Sequence, residues 1–350
     1  MDIQKLNKIL LTLGIVLLAV LVVFGSFYAY WDSAPAEKTC ARCHEVRYDV
    51  HVHQNSSHRD LACKECHGTA LSQGFRSMKE KSGMVVKHMR KVSADDIRMS
   101  EAQILEVMEN CQRCHSFESA GWKAGKHSAT YNDIFLDSLH NSTEQLNYDC
   151  LRCHGMYYEG TITDLVEPIS TTGPWNLKDA GRGDIPAIPC LACHQIHTDG
   201  YPIGSVPENF RDSLGREYNA ARSGLGIYDR AEKAHFNIES LPQLILHHGD
   251  SLVTVSEDAA MRNCVQCHAP NSRHEAGTSD DKTPRGVHAG LSCLACHDPH
   301  SNDAGNSCIK CHPAVSNCNM DVTKLNTTYL DPDSPNDIHT VSCSDCHDDR

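Results

Sequence analysis

Nine segments of the chain carry the spacing Cys-x-x-Cys-His, and together they use eighteen of its nineteen cysteines. Two thiols at this spacing can form thioether bonds to the two vinyl groups of one porphyrin, and the next residue can coordinate the iron as its proximal ligand. The pattern therefore predicts nine covalently attached haem c groups. The predicted attachment residues are Cys40, Cys43, Cys63, Cys66, Cys111, Cys114, Cys150, Cys153, Cys190, Cys193, Cys264, Cys267, Cys293, Cys296, Cys308, Cys311, Cys343 and Cys346. The predicted proximal ligands are His44, His67, His115, His154, His194, His268, His297, His312 and His347.

Paired cysteines have two other interpretations, a zinc site and a disulfide framework. A zinc site needs a second pair of ligands at a defined spacing, and it leaves the histidine of every motif unexplained. A disulfide framework has no use for that histidine either. Cys318, the nineteenth cysteine, belongs to no motif. We interpret it as a buried thiol, with an intermolecular disulfide or an iron ligand as alternatives.

Fourteen histidines lie outside the motifs and are candidates for the sixth, distal ligand of an iron. Five of them lie four or five residues ahead of the first cysteine of a motif or three residues after a motif histidine, where they can reach the iron of a neighbouring haem. These probable distal ligands are His58, His197, His288, His300 and His339. The remaining candidates are His51, His53, His88, His127, His140, His235, His247, His248 and His274. Ligation by two histidines leaves no open position on the iron, so it favours electron transfer over catalysis at iron.

The composition fits a chain whose interior is filled by haem. Only 3 tryptophans and 7 phenylalanines occur in 350 residues, and part of the 40% hydrophobic content lies in one N-terminal segment. A soluble enzyme of this length normally buries a larger apolar core. The formal charge of −13 also makes nucleic acid an unfavourable partner, because nucleic acid binds basic surfaces.

The N-terminal segment predicts the compartment. Ile9 to Trp31 carries no charge and exceeds the roughly 20 residues that span a bilayer as a helix. Lys5 and Lys8 precede it, so residues 1–8 are expected in the cytoplasm and the remainder on the periplasmic, exported side of the inner membrane. A cleaved signal peptide is the alternative, but its apolar region is usually shorter.

The motif spacing predicts the organisation of the exported part. Residues 32–160 would form a four-haem module and residues 186–350 a five-haem module, joined by a linker over 161–185 that is rich in Thr, Gly and Pro. We expect a mostly α, loop-rich fold with one transmembrane helix (residues 9–31) and little strand.

Three helices are expected in the exported part from the distribution of apolar and charged residues. They cover Ser72 to Lys91, Glu101 to Glu109 and Pro207 to Leu225. The second of these runs into the third haem motif and places Ile104, Leu105 and Met108 on one face.

The N-terminal part of the chain resembles the membrane-anchored quinol dehydrogenases of the NapC/NirT/NrfH family. The resemblance lies in one anchor followed by four motifs, in Asn55-Ser56-Ser57-His58 ahead of Cys63, and in the segment Lys79 to His88. It implies that menaquinol or ubiquinol is oxidised at the membrane surface, with Lys79 or Lys81 as the lysine that assists.

One position departs from that family. Its members often carry an iron-ligating methionine two residues after the first motif histidine, where this chain has Val46. The first haem therefore needs another ligand or keeps an open position. The second half of the chain resembles multihaem cytochromes with paired motifs, most clearly from His288 to His300, and this resemblance implies electron transport.

The leading hypothesis is a membrane-anchored cytochrome with nine haems. It would carry electrons from the quinol pool, or from a quinol-oxidising membrane partner, to a periplasmic cytochrome or reductase. One alternative is the haem subunit of a larger membrane oxidoreductase complex. A less favoured alternative is a nitrite- or hydroxylamine-type oxidoreductase with one open-coordinate haem. Whether the chain is itself an enzyme depends on the quinol step.

Overall fold

The computed structural model describes residues 3–35, 38–69, 75–92, 98–198, 224–269, 282–301, 303–305, 307–316 and 319–346. The chain forms two compact units, which are described separately. The first comprises Met1–Met99 with His197–Pro202, and the second comprises Ser100–Ile196 with Ile203–Arg350. The division into a four-haem and a five-haem module stays a prediction.

A long apolar helix, α1 (Ile3–Ser33), begins the first unit. Leucine, valine and isoleucine dominate it, no proline interrupts it, and none of its residues is buried. Among the described residues it is the one helix long and apolar enough to cross a membrane. The helix predicted over residues 9–31 is therefore present, and it extends about two turns further toward the N-terminus.

Short helices follow α1 in the first unit. Two single 3₁₀ turns, Cys40–Arg42 and His44–Val46, carry the first motif. They lead into α2 (Arg47–Gln54), and the second motif forms α3 (Cys63–His67). The helix expected over Ser72 to Lys91 is observed as α4 (Phe75–Met89).

The second unit opens with α5 (Glu101–Gln112), close to the predicted bounds of Glu101 to Glu109. Ser100 and Gln103 form a capping box at its start, where the Ser100 backbone N–H donates to the Gln103 amide oxygen at 2.8 Å. Ile104 and Met108 are buried, as their spacing predicts. This packed face fixes the end of α5, where the third motif begins at Cys111.

The other helices of the second unit are short and separated by loops. They are α6 (Ser116–Ala124), α7 (Tyr131–Phe135), α8 (Leu151–His154), α9 (Ile162–Leu165), α10 (Ala259–His268), α11 (Ser307–Cys311) and α12 (Cys343–Cys346). The helix expected over Pro207 to Leu225 falls almost wholly on residues 199–223, which lie outside the described residues.

Three two-stranded antiparallel hairpins occur within the described part of the second unit. They pair β1 (Val166–Glu167) with β2 (Asn176–Leu177), β3 (Gly226–Asp229) with β4 (Ala234–Asn237), and β5 (His247–His248) with β6 (Ser251–Leu252). The strands have two to four residues each, which is too short for an alternating pattern to be recognised in the sequence.

The larger apolar core of the second unit lies between α7 and the loop before the fifth motif. Tyr131, Phe135, Leu165, Val166 and Trp175 are at most 3% exposed and pack together. A smaller cluster surrounds Met261 and Val265 of α10, the helix that ends in the sixth motif. Helices and loops that carry haem motifs therefore pack against these clusters.

Candidate haem-binding sites

Most described motifs lie in a single helical turn, which explains their spacing. In a helix, residues three and four positions apart share one face. In three motifs, the backbone N–H of the motif histidine donates to the carbonyl oxygen of the first motif cysteine and closes this turn. The distances are 2.9 Å from His115 to Cys111, 3.0 Å from His194 to Cys190 and 2.9 Å from His297 to Cys293. These three motifs thus present both sulfurs and the imidazole on the same side of the backbone.

Seventeen of the eighteen motif cysteines have described side chains, and these form no disulfides. Burial raises the pKa of several thiols, among them Cys190 and Cys193. Burial, followed by the neighbouring Cys190, also raises the pKa of the Cys111 thiol. Two cysteines paired at this spacing, with a histidine directly after them and no disulfide between them, fit thioether attachment of haem c.

Among the described residues, five pairs of facing histidine rings join one motif histidine with one histidine from outside the motifs. We call these the facing pairs. Their ring centroids are 6.0 to 6.3 Å apart. They are His67 with His197, His127 with His268, His194 with His300, His288 with His312, and His297 with His339.

The facing pairs leave the space that one metal ion needs between two imidazoles. A metal–nitrogen bond is about 2 Å long, so rings on opposite sides of one ion have centroids about 6 Å apart. The observed separations match this value. The residues present therefore fit an iron coordinated by two histidines.

The local electrostatics favour neutral imidazoles, which is the form that binds a metal. Burial, followed by the proximity of His300, His235 and His115, lowers the pKa of His194 to about 4. Burial, followed by His268, likewise lowers the pKa of His127.

Two of the histidines that come from outside the motifs, which we call the outer histidines of the facing pairs, have a polar partner at Nδ1. His339 Nδ1 lies 2.9 Å from Oδ1 of Asp337, and His288 Nδ1 lies 3.1 Å from the carbonyl oxygen of Ile338. Burial alone raises the pKa of Asp337, but hydrogen bonds from His339 lower it to about 2. Such partners typically fix the orientation of metal-binding histidines. The sequence analysis did not single out Asp337; its position two residues before a candidate ligand is the signal that could have found it.

The other candidate distal ligands are placed differently. His53 lies 6.3 Å from His197, ring to ring. His58 Nδ1 lies 3.2 Å from the Ser57 hydroxyl, and His235 Nε2 lies 3.0 Å from the Leu191 carbonyl oxygen. The side chains of His51, His140, His247 and His248 are exposed.

Some predicted site residues fall where the structure gives no description. His274, Cys318 and His347 lie outside the described residues, as do the side chains of His44, Lys81 and Cys346. Lys79 is described and is exposed on α4.

Several motif segments of the second unit contact one another directly. Arg152 of the fourth motif donates to the backbone carbonyl of Gln266, within the sixth motif. The Ser292 hydroxyl, just ahead of the seventh motif, donates to Asp258 at the start of α10 at 2.7 Å. Since α10 carries the sixth motif, motifs four, six and seven are packed together.

The second motif is tied to the end of the apolar helix within the first unit. Lys64 Nζ donates to the backbone carbonyls of Trp31 and Asp32, two of the carbonyls that a helix end leaves without an intrahelical partner. The Tyr28 hydroxyl lies 3.3 Å from the Thr69 hydroxyl. These contacts fix the second motif next to the last turn of α1.

The chain is similar to known multihaem cytochromes. The family described as "Outer membrane cytochrome MtrC/MtrF-like, domains II/IV" matches residues 35–201, and "Cytochrome c554 and c-prime" matches residues 231–298. The curated "Cytochrome c-type protein NapC" of Escherichia coli strains K12, O6:H1 and O157:H7 is 26% identical over 153 residues, which cover 38% of this chain and 73% of the relatives. No solved structure matches the chain.

These matches confirm the resemblance of the chain to multihaem c-type cytochromes, with a NapC-like N-terminal part. They support electron transfer as its general function and covalently bound haem c as its cofactor.

Proposed function

We propose that the chain is a membrane-anchored c-type cytochrome with nine haems that carries electrons from quinol to periplasmic redox partners. The facing pairs are the observation that carries this proposal. An iron held by two histidines has no position left for a substrate, so its use is to accept and donate electrons. Each haem would supply this one-electron iron chemistry when bound.

The chain's own residues would hold and tune the haems. Motif cysteines would attach each porphyrin, and motif histidines would bind the iron. The outer histidines of the facing pairs would bind the same iron: His197 for the second motif, His300 for the fifth, His127 for the sixth, His339 for the seventh and His288 for the eighth. Asp337 would orient His339 and increase its electron donation to iron, which favours the ferric state.

Each of these five outer histidines follows or precedes a different motif from the one whose iron it would bind. His300, for example, follows the seventh motif by three residues but faces His194 of the fifth. Ligands exchanged in this way would keep neighbouring haems close, which a chain of electron carriers requires.

The N-terminal part supports quinol as the electron donor. Helix α1 would anchor the protein with residues 1–8 in the cytoplasm, and the contacts of Lys64 would keep the second motif at the periplasmic surface of the membrane. Helix α4 exposes the apolar side chains of Met84, Val85 and Met89 beside basic residues, a composition suited to the membrane interface. NapC-like proteins resemble this part, and Lys79 on α4 would assist proton removal from quinol.

Reduction in liposomes tests the quinol step. The full-length protein is reconstituted and mixed with a menaquinol analogue, and haem reduction is followed by absorbance. We expect reduction of the wild-type protein and at least tenfold slower reduction of Lys79→Met. Lys126→Met, which alters an exposed lysine of the second unit, serves as the matched control and should match wild type. A wild-type protein that dithionite reduces but menaquinol does not would refute the quinol claim.

A second candidate is the haem subunit of a larger membrane complex. The presence of one candidate membrane helix among the described residues favours it, because a separate membrane partner could then oxidise the quinol. Purification from native membranes tests this candidate. Stoichiometric partner subunits, together with quinol-driven reduction only in their presence, would support it.

A further inference from the structure

The ligand of the first haem is the position that the sequence leaves open, because Val46 stands where NapC-type relatives often carry methionine. The structure brings one candidate histidine to this motif. His88, in the last turn of α4, places Nδ1 2.7 Å from Oε1 of Glu45. Glu45 directly follows His44, the proximal ligand predicted for this haem.

The contact is built around a buried carboxylate. The Glu45 side chain is only 2% exposed, whereas that of His88 is 42% exposed. A carboxylate is seldom buried this deeply unless a hydrogen-bonded partner stabilises it. Glu45 therefore holds the imidazole of His88 at a fixed place beside the motif.

The thiol of Cys43 completes a compact group. Its sulfur and one ligand atom each of Glu45 and His88 lie within 4.8 Å of one another. As an independent metal site this group is insufficient. Cys43 is predicted to be consumed by its thioether bond, and the two remaining ligands are fewer than the three or four protein ligands of typical zinc sites. The group is better explained by the haem that the same cysteine attaches.

We propose that His88 is the sixth ligand of the iron at the first motif and that Glu45 positions it. Glu45 accepts the hydrogen bond from Nδ1–H, which fixes the tautomer and makes Nε2 the coordinating nitrogen. The first haem is then coordinated by His44 and His88, and it has no open position. The inference rests on the proposed function only in requiring a haem at the first motif.

Spectroscopy of the purified full-length protein tests this assignment without reference to activity. In His88→Ala, one haem per molecule should change from low-spin to high-spin in the ferric state, measured by electron paramagnetic resonance and normalised to total haem. Added imidazole should return that haem to the low-spin state. His88→Met is the second variant, and it should keep six ligands while gaining the far-red absorption band of methionine ligated to ferric haem. Lys87→Ala, at the exposed residue directly before His88 on α4, is the control and should leave the spectra unchanged.

Glu45→Gln examines the positioning role separately. The amide is a weaker acceptor, so the imidazole donates less charge to iron, and we expect one haem to rise in reduction potential while remaining low-spin. An unchanged potentiometric titration would overturn the role of Glu45.

The outcomes separate this assignment from the proposed function. A wild-type protein with one high-spin haem that His88→Ala leaves unaltered would overturn the ligand assignment, as would a His88→Ala protein whose haems all stay low-spin. Mass spectrometry of the peptide with Cys40 and Cys43 must show an attached haem, and its absence would refute both claims. Failure of menaquinol to reduce the protein would refute the quinol step alone.

Discussion

The two facing pairs next to the seventh motif provide a sharp prediction because their ring planes are oriented differently. His297 and His339 are nearly parallel, with an interplanar angle of 4°, whereas His288 and His312 are nearly perpendicular, at 74°. When two imidazoles coordinate one iron, both planes contain the iron–nitrogen axis. The interplanar angle is then the rotation of one ligand relative to the other about that axis.

This rotation determines the paramagnetic spectrum of ferric low-spin haem. Parallel rings act on the same iron d orbital and split the two orbitals that carry the unpaired electron, which gives a rhombic signal. Perpendicular rings act on both orbitals about equally, which gives a signal with one very large g value. The haem at the His297 site should therefore give a rhombic signal, and the haem at the His312 site should give a signal with one very large g value.

The perturbations are His339→Ala and His288→Ala, each examined by low-temperature electron paramagnetic resonance. His339→Ala should remove one rhombic signal and His288→Ala one large-g signal. Each should add one high-spin haem, or about one ninth of the total haem predicted by the nine motifs. The exposed Lys126→Met is the control and should change neither signal. If both variants lost the same kind of signal, or neither gained a high-spin haem, the ligand assignments would be refuted.

Two further predictions concern the protein framework of the second unit. Glu101→Gln should lower the free energy of unfolding by about 2 kcal/mol, because Glu101 accepts hydrogen bonds from the Tyr131 hydroxyl and from Arg182, and both donors are partly buried. Denaturant titration measures this loss, and a change below about 0.5 kcal/mol would contradict the reasoning. Gly226→Ala should open the β3–β4 hairpin, because an added Cβ would lie 2.1 Å from the Phe236 carbonyl oxygen. Hydrogen exchange should then accelerate in this hairpin alone, and wild-type protection would show that the backbone relaxes without cost.

The elements that the sequence predicted well are those whose signal is local. Helix α1 follows from an uncharged apolar run, and α5 follows from a buried stripe that includes Ile104 and Met108. The short hairpins were not expected, because strands such as β3 owe their pairing to a close backbone approach at Gly226 rather than to a pattern of side chains.

The candidate ligands also differ in whether the local sequence marks them. His197, His288, His300 and His339 were selected by their nearness to a motif, and the structure places each opposite a motif histidine. His127 had no such signal, because its partner His268 is distant in the chain and only the fold brings the two rings together.

The roles of Glu45 and Asp337 depend on hydrogen bonds to candidate ligands. Those bonds form only after α4 or the C-terminal loops have packed. The sequence therefore predicts the chemistry of attachment, while the tertiary structure determines which histidines meet.

The most direct test of the central claim is quantitative electron paramagnetic resonance of the oxidised, full-length protein, with total haem measured on the same sample. The account predicts nine haems per chain, all of them low-spin and unaffected by nitrite or cyanide. A high-spin haem that binds either anion would contradict it, because the chain would then contain an open iron and a site for catalysis.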